Sequence, residues 1–234
     1  MIFVNEQIHV CIDKGKATEV YDKKTEGPIA VDTRFMWPSQ GKTLKIKFLE
    51  GDSYIINKVK EKFSLWSPYA KNIKFEYVTE GNADVRIDFK QDESSWSYIG
   101  QEILDYPQDQ PTMHFGWFNK DTKDEEFERT AVHEMGHTLG FIHEQSQPLA
   151  NIDWDVDAVY AYFKKYDNWD RDTTYHNVME RYSKQITQYT EYDPTSIMQY
   201  FIPKELLKSG NAISGGNKLS ELDKAFAKQL YGQA

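Results

Sequence analysis

The segment HEMGHTLGFIHEQ runs from His133 to Gln145 and holds three of the six histidines in a chain of 234 residues. Any fold adopted by the chain has to place those three imidazoles. At about 100° per residue, His133 and His137 lie roughly 40° apart on a helix, while Phe127, Ala131, Val132, Met135 and Leu139 gather on the other side. The spacing predicts a helix from Phe127 to Gly140, entered through acids suited to a helix N-terminus and closed by glycine. A straight helix cannot bring His143 round to the other two. Gly140 can, because glycine accepts positive φ and turns the chain sharply. Three imidazoles with an open fourth position form the pattern of a catalytic zinc rather than a closed structural one. Glu134, next to the first ligand, is then placed to take a proton from a water whose pKa zinc lowers to about 7. The competing reading is an ordinary amphipathic helix with clustered histidines, and Gly140 and His143 at these offsets count against it.

Upstream, residues alternate with period two. Leu44, Ile46 and Phe48 do so in TLKIKF, Ile73, Phe75 and Tyr77 in NIKFEY, and Val85, Ile87 and Phe89 in ADVRIDF, which predicts three strands with one buried face each. Ile55, Val59 and Phe63 recur every four residues between the first two, as on a helix. TMHFGWF reads as a further short strand at the sheet edge, and the preceding SSWSYIG as a loop. Helices dominate after His143: DVDAVYAYFKKY by its Val156, Val159, Tyr160 and Phe163 spacing, and SELDKAFAKQLYG with Ser220 and Asp223 as a capping box. The fold class expected is α+β: a twisted, mostly parallel N-terminal sheet with helices, then a mostly helical part, with a cleft between them. Residues 1–30 read as a leader arm, and 31–234 as one catalytic domain whose sheet subdomain ends near residue 143.

A net charge of −9 argues against a nucleic-acid binder, which needs a basic face. No apolar run approaches the ~18 residues of a membrane span, and no signal-peptide core follows Met1. That leaves a cytosolic protein or one whose export signal has been removed. A single cysteine, Cys11, rules out an internal disulfide framework.

Downstream, YDPTSIMQY sets Met198 and Tyr200 in a loop. With the long histidine motif it resembles the methionine turn beneath the metal of metzincins. HEMGHTLGFIHEQ matches the astacin form HExxHxxGFxHE, and SSWSYIG resembles the Ser-Tyr-Val-Gly segment of the same family. The chain therefore resembles the astacin family of metzincin zinc endopeptidases, in a bacterial and fungal branch, from about Trp37 to the C-terminal LSELDKAFAKQLYG. The resemblance implies one Zn²⁺ per chain on His133, His137 and His143, with Glu134 as general base and then acid. It makes Met198 a floor under the metal and Glu144 a buried structural carboxylate. It makes Tyr200 a fifth ligand that swings away to stabilise the oxyanion, against the alternative of a buried aromatic beside Met198. Protein or peptide substrates follow, as does a secreted, monomeric enzyme. The chain departs from the family in lacking disulfides, in SQPLANIDW after Gln145 where Arg-Asp-Arg is usual, in Gln199 where histidine is usual, and in the missing aspartate-based propeptide motif. Substrate preference is therefore not carried over.

Two further expectations concern partners and regulation. A peptide substrate would pair with an edge strand, for which TMHFGWF is the candidate, with His114 a strand residue and neither His9 nor His176 a ligand. Cys11 offers a thiolate for the open metal position and so could hold the enzyme latent, as in some bacterial astacin-like proenzymes, until cleavage near KKTEGPIA. Asp13 would anchor that segment or simply be solvated. The plainer alternative is a small buried hydrophobe. From a different class, a catalytically inactive zinc-stabilised binding module also fits the histidines, and the intact Glu134 and Tyr200 count against it. A metal-free scaffold leaves the histidines unexplained.

Overall fold

The computed structural model describes Cys11 and residues 31–92, 94–182, 187–188 and 191–232. The remaining leader, with His9, Asp13 and the KKTEGPIA stretch, lies outside the described residues.

A five-stranded sheet occupies the first half. Its strands are β2 (Lys42–Phe48), β3 (Ile73–Tyr77), β4 (Val85–Asp88), β5 (Ser95–Ser97) and β6 (Met113–Phe115), in the order β3-β2-β4-β6-β5. β3, β2, β4 and β6 run parallel; β5 alone is antiparallel. A separate two-stranded ladder joins β1 (Val31–Asp32) to β7 (Thr187–Gln188). Helix α1 (Ser53–Phe63) connects β2 to β3 and buries Ile55, Val59 and Phe63 against the sheet. Asp52 caps it, accepting from the Tyr54 amide at 2.8 Å. This mostly parallel sheet with covering helices is the α+β architecture expected of the sequence.

Several expectations are corrected. TMHFGWF is not the edge strand: β6 is paired on one side with β4 and on the other with β5. SSWSYIG is not all loop: its SWS forms β5 and is the edge, a sequence that gives no alternating signal yet whose three residues are all buried. β4 also lacks a solvated face, because Arg86 between Val85 and Ile87 is fully buried. Its guanidinium donates to the carbonyls of Gln110 (2.8 Å), Ala83 (3.0 Å) and Asp84 (3.0 Å), so the loop after β5 closes over the far side of a central strand. At the opposite edge, β3 alternates as expected only in part: Ile73 is buried, but Tyr77 is exposed.

Helix α2 (Asp124–Thr138) lies on the sheet and carries the histidines. Asp124, Glu125 and Glu126 fill its first turn, where the positive end of the dipole favours carboxylates. Asp124 also joins Lys58 and Lys62 of α1, each at 2.7 Å. Beyond it come α3 (Val156–Tyr166), a single turn α4 (Arg171–Thr174) continuing into a wider π turn, and α5 (Glu221–Tyr231). The capping box opens α5 as expected: Asp223 N donates to Ser220 Oγ and Ser220 N to the Asp223 carboxylate. α5 packs back on the sheet side, where Phe226, Ala227 and Tyr231 join the main core. No described helix is long and apolar enough to cross a membrane.

Candidate active site

The end of α2 builds the site. Gly140 has φ +98°, its N–H donates to His137 O at 2.8 Å, and Phe141 N donates to Gly136 O at 3.0 Å. These paired bonds and the left-handed residue form a Schellman cap, the turn expected at this glycine. The exposed carbonyls of the last turn are met by rings from elsewhere: Trp37 Nε1 donates to Thr138 O (2.7 Å) and the Tyr231 hydroxyl to Leu139 O (2.8 Å). The helix end is thereby fixed, and the chain turns back to bring His143 over His137.

The three imidazoles meet. His137 Nε2 lies 3.1 Å from His133 Nε2 and 3.0 Å from His143 Nε2. His133 Nδ1 is 2.8 Å from Ile197 O, and His137 Nδ1 is 2.8 Å from Phe141 O. A carbonyl only accepts, so both Nδ1 atoms carry protons and both Nε2 atoms present lone pairs to the cluster. Lone pairs this close repel unless a cation lies among them. A tetrahedral zinc about 2.0–2.1 Å from each nitrogen sets N···N edges of about 3.3 Å, close to what is found here, so the residues fit the ion. Burial drives the pKa of His133 and His143 well below the usual histidine value, with the neighbouring His137 adding to the effect, which keeps the rings neutral as ligands.

Three further groups converge on the same point. Cys11 Sγ and the three histidine ligand atoms all lie within 4.8 Å of one another. The thiol donates to Glu134 Oε2 at 3.2 Å. Burial pushes the Glu134 carboxyl up to about 8, opposed by that thiol contact and by Arg129. The Tyr200 hydroxyl is 2.6 Å from His143 Nε2 and also donates to the Cys11 carbonyl. Cys11 forms an isolated parallel bridge with Ser95 on the free edge of β5.

Met198 lies beneath, and sequence reading missed why it can. A Cβ on Gly136 would come within 2.5 Å of Met198 Sδ, so the glycine in the middle of α2 is what lets the thioether reach the helix. A mid-helix glycine is a visible signal, since it destabilises by about 1 kcal/mol relative to alanine and asks for a packing reason. The turn itself is held by Asp223, which accepts from Ser196 Oγ (2.7 Å) and Ile197 N (2.8 Å). Glu144 is buried and accepts from Asp193 N (2.7 Å) and Gln147 Nε2 (2.6 Å), tying the third histidine to the loop before the methionine; burial raises it to about 8. His114 sits on β6 between Asp88 and Asp92, away from the cluster, and His176 pairs with Glu180 at 2.6 Å.

Comparison with known proteins agrees with this geometry. The family model for matrixin, peptidase family M10, matches residues 37–152. A structure of myroilysin is 40% identical over 88% of this chain and 99% of its own, with a TM-score of 0.84. The chain is a metzincin. A second myroilysin structure is 38% identical, covers 97% of this metzincin and 93% of that chain, and has a TM-score of 0.70. High choriolytic enzyme 1, a hatching enzyme zinc-protease from the medaka fish Oryzias latipes, shares the fold at 14% identity and a TM-score of 0.58, over 92% of this chain and 100% of its own. No curated protein sequence matches. As a metzincin the chain is a metalloendopeptidase acting on peptides, and its histidine cluster suits the zinc that such enzymes use.

Proposed function

We propose that this metzincin is an astacin-like endopeptidase that binds one zinc per chain, is held latent by its N-terminal arm, and acts as a secreted monomer. The observation that carries the proposal is the meeting of His133, His137, His143, Glu134, Tyr200 and Cys11 at one buried point. The Glu144 that follows the third histidine, and the position of SSWSYIG on the sheet edge, support the astacin-like placement.

His133, His137 and His143 would hold the metal through Nε2. Zinc bound there supplies Lewis-acid polarisation of the scissile carbonyl and of the attacking water. Glu134 accepts the water's proton on its carboxylate and passes it to the leaving amine. Tyr200 donates its hydroxyl to the oxyanion as it develops on the carbonyl. Ile197 O and Phe141 O keep two of the imidazoles in the ligating tautomer. Met198 supports the rings from below.

The arm opposes each of these roles. Cys11 offers its sulfur to the same point and engages Glu134, while its carbonyl occupies the Tyr200 hydroxyl. Its bridge to Ser95 covers the strand edge on which a peptide would otherwise add. Such a built-in block suits an enzyme that must leave the cell before it cuts.

The test measures bound zinc and peptide hydrolysis in the full chain, in Cys11→Ser and in Glu134→Gln. Cys11→Ser should cleave faster than the parent at equal zinc. Glu134→Gln should keep its zinc and lose activity by about 10³-fold or more, since the metal remains without a proton acceptor. Equal rates in parent and Cys11→Ser would end the latency proposal; ordinary turnover in Glu134→Gln would end the proposed chemistry.

A further inference from the structure

His114 of β6 has no part in the chemistry above, yet it is 3% exposed and a carboxylate meets each of its ring nitrogens. Nδ1 pairs with Asp88 of β4, the residue opposite it in the sheet. Nε2 lies 3.1 Å from Asp92 Oδ1, an ion-pair contact without the alignment of a hydrogen bond. From β5, the Trp96 ring stacks on the imidazole at 5.5 Å and 24°. The groups facing His114 are thus one acid from β4, one acid from the loop before β5, and an uncharged indole from β5 itself. Burial works to lower the pKa of His114, but the two carboxylates outweigh it and hold the imidazole above its ordinary 6.5.

Asp92 leads directly into the edge strand. Its carboxylate accepts from Ser94 N (2.7 Å) and Ser94 Oγ (2.8 Å). Its own N–H donates to Gly116 O, and Gly116 N donates to Ser94 O, each at 2.8 Å. A Cβ on Gly116 would fall 2.0 Å from Asp92 Oδ1, so the glycine directly after β6 is what admits the carboxylate. The residue after Ser94 is Ser95, which bridges Cys11 on the free edge.

We infer that His114 is a positioning residue for the peptide-binding edge: as the imidazolium it ties Asp92 and Trp96 together and fixes the start of β5, and on losing its proton it lets that edge loosen. The inference rests on the peptidase proposal, which supplies the peptide, and deepens it by naming what controls the edge. An imidazolium carries an N–H on both nitrogens and attracts both carboxylates and the indole face. The neutral ring keeps one N–H. With that proton on Nδ1 toward Asp88, a lone pair faces Asp92 at the other end. Asp92 is half exposed, so its carboxylate can then turn to water and release the turn that opens β5. A group with a raised folded-state pKa contributes fully below its ordinary value and loses that contribution as pH rises through the raised one. The edge is therefore held firmly in acid and near neutrality and slackens in alkali. His114 touches neither substrate nor the histidine cluster; it acts through Asp92 and Trp96.

The test takes two readouts between about pH 5.5 and about pH 9. In the zinc-loaded full chain bearing Cys11→Ser/Glu134→Gln, which removes the thiol and carboxyl that would titrate at the cluster, Kd for a peptide spanning the cleft is measured by calorimetry. In the full parent chain, amide exchange across Ser95–Ser97, corrected for its intrinsic pH dependence, is followed by NMR alongside the His114 ring titration. Kd should rise about fivefold and exchange should quicken, both at the midpoint of the His114 titration, with bound zinc unchanged. His114→Gln should bind weakly and without pH dependence. Asp92→Asn, which keeps an acceptor for Ser94 and removes the charge, should do the same, so the test stands where the His114 variant fails to fold. A flat Kd for a peptide that binds, or a pH response that survives both variants, would overturn the inference. Exchange that follows the His114 titration and is made flat by both variants, with no peptide bound at any pH, would instead bring down the peptidase proposal and leave the control of the edge standing.

Discussion

Around the sheet, buried side chains from Val31 to Tyr231 join into one continuous core, built on β2, β4, α1 and α2 and sealed by α5. Beyond His143 a second, smaller cluster of Val159, Phe163, Val178, Ile202, Leu206 and Leu207 stands apart from it. The first is held by four parallel strands and two long helices. The second has one eleven-residue helix, a single α turn, a π turn and isolated bridges at Trp154–Leu207 and Ile202–Ile213. The division of chemistry follows the division of packing. His133, Glu134 and His137 are on α2, which is part of the large core; Trp154, Phe163, Trp169 and Leu206 belong to the small one, and the Tyr200 ring lies against His133 and His143. In the proposed mechanism the residues that would hold the metal thus have the stiffer support.

The contrast can be broken first by emptying each core. Phe115 packs on Phe118 (4.7 Å) and Phe89 (5.9 Å) in the sheet half, and Phe115→Ala should lower global stability by about 3–5 kcal/mol in denaturant unfolding. Phe163→Ala should shift the global transition less and instead speed amide exchange across α3, with zinc content unchanged. Equal global losses and no local change in exchange would mean that the two cores unfold as one. Tyr200→Phe tests the division of chemistry at smaller scale. A fall in kcat of about 10²-fold, near 2.7 kcal/mol, with little change in KM, is the pattern of a contact made in the transition state. An unchanged kcat would return Tyr200 to packing.

The smallest effect concerns the tie between α1 and α2. Lys58 and Lys62 hold the Asp124 carboxyl down to about 2, against an ordinary value of 3.8. A depressed carboxylate stabilises the folded state above its unfolded pKa and loses that contribution as pH falls through its folded one. Asp124→Asn should therefore melt slightly below the parent at pH 7, with the gap closing between about pH 4 and pH 2. Because Asp124 is solvent-exposed, a gap of more than a few degrees would point to a role for it in the helix beyond the ion pair.

What could be read beforehand divides along similar lines. Local periodicity exposed β2, α1, α3 and α5, and glycine chemistry at Gly140 exposed the turn after α2. These signals lie within a few residues of the structure they specify. The edge strand escaped because Ser95–Ser97 has no alternating pattern; its place is fixed by partners at Met113–Phe115 and by Cys11, far away in sequence. Arg86 escaped because a charged residue in a strand normally marks a solvated face, and here the folded loop 100–110 joins Ala83 and Asp84 in supplying its acceptors. The histidines and Glu134 were legible as a spacing, whereas the surroundings of His114 were not, since Asp88 and Asp92 reach it from other elements only once the sheet is formed.

Asp223 has a consequence in time. It grips the methionine turn through Ser196 and Ile197, and the Ile197 carbonyl in turn fixes the tautomer of His133. Ribosomes deliver His133 about ninety residues before Asp223, so a growing chain carries its metal-binding segment long before it owns the clamp that finishes it. Until α5 has emerged and docked, the nascent protein holds the parts of a peptidase without a completed one.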